Sequence, residues 1–161
     1  WKGIIRKKSG RRGGNCGSQR KHEVRGARDH SLMASIFTKI VNRNLPAYIV
    51  EEDEKHMAFL DIRPLKEGHT LVIPKREVDY ILDLSSEEFA ALWTFAKSVA
   101  MRLEKAVACK RIALVVLGME VPHAHIHLIP IDKEADIHFD QKPLNLSPSE
   151  FEAIAERIKK A

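Results

Sequence analysis

The chain has 161 residues and a formal net charge of +5, enough for one domain with a real core and short for two. The charge is uneven: residues 1–32 hold ten Lys/Arg against two Asp/Glu, and residues 33–161 hold 17 against 20. A basic footprint spread over the whole chain is thereby excluded, as is a membrane span, since no apolar run approaches ~18 residues.

Residues 1–32 are rich in Gly and Arg and poor in apolar side chains. Such a segment buries too little surface to offset its ordering entropy. It is expected to be a disordered basic tail, with the domain spanning 33–161. The simplest account is sequence appended upstream of Met33, with a nucleic-acid-binding arm or an import signal as alternatives. The tail has no hydrophobic core of the kind a secretory signal carries. Cys16 and Cys109 show no metal or disulfide spacing, so a reducing, cytoplasmic setting is expected.

From Met33 the pattern tightens. Ser35 is placed to cap a short helix carrying Ile36, Phe37, Ile40 and Val41. Strands are predicted over 47–51 and 55–61, around the acidic turn at 52–54, and a third over 69–74. Ser85 and Glu88 form a capping box, followed by about five turns with Phe89, Leu92, Trp93, Ala96, Val99, Ala100, Leu103 and Val107 on one stripe. A fourth strand covers 111–117, a turn 118–122, and a fifth strand 123–130. A loop is expected over 131–146. Ser147 and Pro148 then open a last helix with Phe151, Ile154, Ala155 and Ile158 on its apolar face. Strands close in sequence, one long helix and a C-terminal helix together predict an α+β domain with a mainly antiparallel five-stranded sheet.

The chemistry concentrates at His123-Ala124-His125-Ile126-His127. Alternation on a strand puts the three histidines on one face and Ala124, Ile126 and Leu128 on the other. Positions i and i+4 lie about 13 Å apart on a straight strand, and zinc needs nitrogens at about 2.0–2.1 Å, so this row alone is a poor three-histidine metal site. Two histidines with ligands from elsewhere remain open. The spacing suits divided labour instead: one imidazole attacks, and a neighbour orients it or bears developing charge. His125, flanked on both sides, is the natural nucleophile. His56 is read as a surface residue opening a strand, and His22, His30 and His138 receive no role.

With those residues in view, the sequence resembles the histidine triad (HIT) family, whose signature is His-x-His-x-His with apolar x, and within it the bacterial-type Hint branch. Ile36-Phe37, Ile40, the block 58–62 and Glu67-Gly68-His69-Thr70-Leu71-Val72-Ile73-Pro74 extend the similarity over about residues 35–131. The resemblance implies a HIT-like fold and a nucleotide hydrolase or transferase that releases AMP or GMP from a phosphoramidate or related conjugate. It implies a nucleotidyl-histidine on His125, orientation and phosphate contact from His123 and His127, and support of the triad by His69. It also implies ribose binding by Asp61 and a base wall of Ile36, Phe37, Ile40, Phe59 and Ile62. A homodimer is implied too, and the mechanism requires no metal or other cofactor. The partners expected are a purine nucleotide or its conjugate, without membrane or nucleic acid. Relatives usually carry Gly-Gln-Ser/Thr before the triad; here Gly118-Met119-Glu120 stands there. Met119 has no hydrogen to donate to a phosphate, and Glu120 is a candidate acid or a contact for a cationic leaving group. The alternatives within the same fold are a dinucleoside polyphosphate hydrolase and a nucleotide-binding module with weak activity.

Overall fold

A computed structural model describes residues 34–161; the expectations for the tail and for the boundary at Met33 lie outside the described residues. The elements run α1 (Ile36–Val41), β1 (Ile49–Glu52), β2 (His56–Leu60), β3 (Thr70–Pro74), α2 (Ser86–Ala106), β4 (Arg111–Val115), β5 (Ile126–Ile131) and α3 (Pro148–Lys159), with short 3₁₀ turns at Ile81–Asp83 and Glu134–Ile137. The five strands form one antiparallel sheet in the order β1-β2-β3-β5-β4. The α+β reading with an antiparallel five-stranded sheet is therefore what the chain adopts.

Local chemistry sets the element ends. The β1–β2 turn is closed by Asp53, whose Oδ1 accepts from the backbone N–H of Lys55 at 2.7 Å and of His56 at 2.6 Å. The start of α2 is a reciprocal capping box: Ser85 Oγ accepts from Glu88 N–H at 3.2 Å, and Glu88 Oε2 accepts from Ser85 N–H at 3.0 Å. The same device, with Pro148 in the first turn, starts α3. Each cap satisfies donors that the first helical turn leaves unpaired, worth about 1 kcal/mol.

The sheet has two unlike faces. Ala58, Leu60, Val72, Ala124, Ile126 and Leu128 point to one side, where α2 contributes Leu92, Ala96, Val99 and Leu103 and α3 contributes Phe151, Ile154 and Ile158. Met57, Phe59, Leu71 and Ile73 point to the other, where α1 adds Phe37 and Ile40, with Val41 partly buried beside them. A six-residue helix leaves part of that face open. Strand β5 runs between β3 and β4, so the histidine segment lies one strand in from the β4 edge, on the thinly covered side.

Two expectations change. His56 is buried rather than on the surface: its ring stacks on Phe95 of α2 at 5.2 Å and its Nδ1 lies 3.0 Å from Asp53 Oδ2. The fifth strand begins at Ile126 rather than at residue 123, because the β3 ladder pairs Val72 with Ile126 and goes no further. Strand β4 likewise stops at Val115, opposite His127.

Candidate active site

The face left open beside α1 forms a cavity of about 830 Å³. His125, His127 and His69 line it, as do Asp61, Ile36, Phe37, Ile40, Phe59, Ile62 and Glu120. His123 does not: it is fully buried behind the cavity wall. The structure therefore brings together every residue singled out from sequence except His123, which is too deep to contact a phosphate from inside the cavity.

The hydrogen bonds assign each ring a tautomer. His125 Nδ1 lies 2.6 Å from the carbonyl of His123. A carbonyl only accepts, so Nδ1 carries a proton, and in the neutral ring the lone pair sits on Nε2. His69 Nδ1 accepts from the Leu65 backbone N–H at 3.2 Å, and its Nε2–H therefore donates to His127 Nδ1 at 3.0 Å. That leaves His127 with Nε2–H as its remaining donor. His123 Nε2–H donates to the Pro74 carbonyl at 2.8 Å, and its Nδ1 faces Ser35 Oγ at 2.9 Å.

Burial favours the uncharged form of His69, His127 and His123. It pushes His69 down to about 4 and His127 down to about 3, with further lowering from the neighbouring His125. Burial also lowers His123. At neutral pH, His69 and His127 are thus hydrogen-bond donors rather than cations. Two positive rings beside His125 would oppose any positive charge forming on it.

The remaining groups frame the cavity. Asp61 Oδ1 accepts from the Arg63 N–H at 2.8 Å, and Oδ2 lies 3.7 Å from His69 Nε2. Phe37 sets its ring at steep angles to His125 at 5.3 Å, to His123 at 5.8 Å and to Phe59 at 5.5 Å. Phe37, Ile40 and Phe59 thus serve the core and the cavity wall at once, whereas Ile36 and Ile62 are largely exposed at its rim. Met119 and Glu120 are exposed on the wall reached from β4.

Asp61, His69 and His127 each offer a donor atom within 4.8 Å of the others, the two-histidine arrangement left open by the sequence. The facing nitrogens of His69 and His127 are bonded to each other, so a cation would have to displace that bond.

Sequence reasoning missed several participants. Phe139, in the segment read as loop, sets its ring 4.9 Å from His127 and 6.3 Å from His69 and lines the cavity. A lone aromatic in a polar stretch was its only signal. Pro74 acts through its carbonyl and Leu65 through its N–H, which no side-chain pattern reports.

An antiparallel sheet that sets the imidazoles of His125, His127 and His69 and the carboxylate of Asp61 against a largely apolar cleft defines a small-ligand site. The family comparison is specific: the HIT domain model matches residues 42–134. An uncharacterised HIT-like protein of Borreliella burgdorferi is 34% identical over 131 residues, covering 76% of this chain and 94% of its own length. The Schizosaccharomyces pombe protein named adenosine 5'-monophosphoramidase is 32% identical over 132 residues, covering 78% and 96%. Among solved structures, a hypothetical histidine triad nucleotide-binding protein of Sulfolobus tokodaii superposes with a TM-score of 0.68 at 32% identity, covering 77% of this chain and 89% of that one. The chain belongs to the HIT family.

Proposed function

We propose that this protein is a nucleotidyl hydrolase that cleaves a nucleoside monophosphate, AMP or GMP, from a phosphoramidate or related conjugate through a covalent intermediate on His125. The observation that carries the reading is the bond from His125 Nδ1–H to the His123 carbonyl. It commits the other nitrogen to nucleophilic duty on the ring that lines the cavity.

The base lies against Ile36, Phe37, Ile40, Phe59 and Ile62, an apolar wall suited to a purine. Asp61, held at one oxygen by the Arg63 N–H, accepts from the ribose hydroxyls with the other. Nε2 of His125 attacks the α-phosphorus, the bond to the leaving group breaks, and the departing nitrogen leaves as the amine after taking a proton from solvent water at the exposed wall of the cavity. The nucleotidyl-imidazole bears a positive charge, which the His123 carbonyl stabilises through Nδ1–H. The neutral Nε2–H of His127 donates to a phosphoryl oxygen without adding a like charge. Water then attacks the same phosphorus, frees the nucleotide and restores His125. Glu120 faces the leaving group and favours an amine carrying positive charge. The monophosphoramidase name borne by the S. pombe relative supports the choice of bond.

The functional unit is a homodimer formed through β4. The opposite edge, β1, carries Glu51 and Glu52, with Glu52 bound to Arg43 and Lys75, which resists edge pairing. Strand β4 presents Ile112, Ala113, Leu114 and Val115, with Leu114 and the nearby α2 residue Met101 exposed.

The test is intact mass after rapid quench with an adenosine phosphoramidate. A transient adduct of one AMP on the parent and none on His125→Ala is expected. Turnover without an adduct, or an adduct that survives His125→Ala, refutes the covalent role. Faster turnover of diadenosine tetraphosphate than of the phosphoramidate moves the substrate to the phosphoanhydride class.

A further inference from the structure

We infer that Ser35 is a positioning residue for His125, acting through His123, and that Thr38 and Glu77 orient Ser35 for that task. The inference rests on the covalent reading of His125 given above, and its spectroscopic arm stands without it.

His123 and His125 precede the β3–β5 ladder, which begins at Ile126. The carbonyl that fixes the His125 tautomer therefore belongs to a residue no strand pairing holds. Among the described residues, the backbone near it makes two turn-like bonds, His123 N–H to Val121 at 2.8 Å and Ala124 N–H to Val78 at 2.6 Å. What anchors His123 is its own ring, tied at Nε2 to the last carbonyl of β3 and at Nδ1 to Ser35.

The Pro74 carbonyl only accepts, so Nε2 holds the proton and Nδ1 must receive one from Ser35 Oγ–H. Ser35 Oγ also accepts from the Thr38 backbone N–H at 3.0 Å, as the cap of α1. The Thr38 hydroxyl, 3.1 Å from Ser35 Oγ and 3.4 Å from His123 Nδ1, donates to Glu77 Oε2, and the Ser35 N–H donates to the same oxygen at 3.1 Å. Glu77 takes the Thr38 hydroxyl and the Ser35 N–H and also lies beside the Ser35 hydroxyl; the hydroxyl hydrogen is assigned to the ring because Nδ1, unprotonated, needs a donor and Ser35 Oγ is its nearest one, at 2.9 Å. Every group from Glu77 to His125 then has one assigned direction. Glu77 and His125 are the titratable neighbours of His123 in this arrangement. Helix α1 thus does more than present Phe37 and Ile40 to the cavity; its cap sets the protonation of a buried triad ring.

The test separates the cap from the hydroxyl. Ser35→Asp keeps a strong cap and removes the donor, whereas Ser35→Thr keeps both. Imidazole nitrogen NMR of the full chain reads the His123 tautomer directly, without turnover. The parent is expected to show His123 with a proton on Nε2 alone. Ser35→Asp is expected to protonate Nδ1 as well and to lower kcat at least tenfold on an adenosine phosphoramidate, with KM changed less than threefold. Ser35→Thr is expected to recover most of the rate and the parent spectrum. Glu77→Ala, at an exposed site, provides a second variant that leaves the core untouched; about a threefold fall in kcat is expected, together with a mixed His123 tautomer. A parent ring protonated on Nδ1, or a Ser35→Asp spectrum and kcat equal to those of the parent, overturns the inference. A parent that forms no adduct and turns over no substrate overturns the functional reading, while the tautomer result still decides the role of Ser35.

Discussion

Lowering the pH from 7 to 5 is expected to destabilise the fold through two rings in the cleft. Burial holds His69 down to about 4 and His127 to about 3 in the folded protein, and in the unfolded chain both return to about 6.5. Between those values the unfolded chain binds protons that the folded one does not. Stability is therefore complete above about pH 6.5 and is lost as pH falls toward the folded values. At pH 5 each ring is about 1.5 pH units into its window, and one unit is 1.36 kcal/mol, so each contributes a loss of about 2 kcal/mol. The rings share the 3.0 Å bond between His69 Nε2 and His127 Nδ1 and do not protonate independently, which bounds the total at about 2–4 kcal/mol. His123, also lowered by burial, acts with the same sign. Carboxylates held low by their partners, such as Glu52 and Asp136, keep their contribution above about pH 4–4.5 and lose it below, so they stay out of this interval. Urea unfolding at pH 7 and pH 5, at fixed ionic strength, measures the difference for the parent and for His127→Gln. The parent is expected to lose about 2–4 kcal/mol and the variant about half as much. Equal stability of the parent at the two pH values would refute the neutral histidine pair.

Gly68→Ala is expected to cost about 2–4 kcal/mol in urea unfolding, from left-handed backbone strain and forced repacking. Gly68 sits at φ +81°, and an added Cβ would meet Leu103 at 2.8 Å and Val107 at 2.9 Å; a loss under about 0.5 kcal/mol would contradict that account. Glu120→Gln is expected to lower kcat/KM roughly two- to fivefold for a phosphoramidate whose amine carries a second, positive charge, the modest effect of an exposed carboxylate. It should leave a neutral alkyl amine conjugate unaffected, and equal effects on both substrates would remove Glu120 from leaving-group selection. Leu114→Lys, which puts a charge on the β4 edge, is expected to turn a dimer into a monomer by light scattering at micromolar concentration. A monomeric parent, or a variant that stays dimeric, would refute pairing through β4.

Periodicity and capping chemistry were legible without a structure because they are local. Ser35, Ser85 and Ser147 cap the three helices as their sequence context dictates, and Phe151, Ile154, Ala155 and Ile158 are the buried face of α3. The triad was legible because period two across an apolar strand leaves imidazoles one face to share. What tertiary structure decided is how unlike those imidazoles are. The β3–β5 ladder stops at Val72 and Ile126, short of His123 and His125, and the His123 ring bonds the Pro74 carbonyl at the end of β3. Insertion of β5 between β3 and β4 sets His127 against His69, 58 residues away, and fixes which nitrogen of each carries hydrogen. His56 is buried because α2 lays Phe95 over it, a contact absent from the pattern of its own strand. Backbone carbonyls and amides, which are alike at every position of a sequence, assign these roles only once the fold has decided which of them a ring can reach.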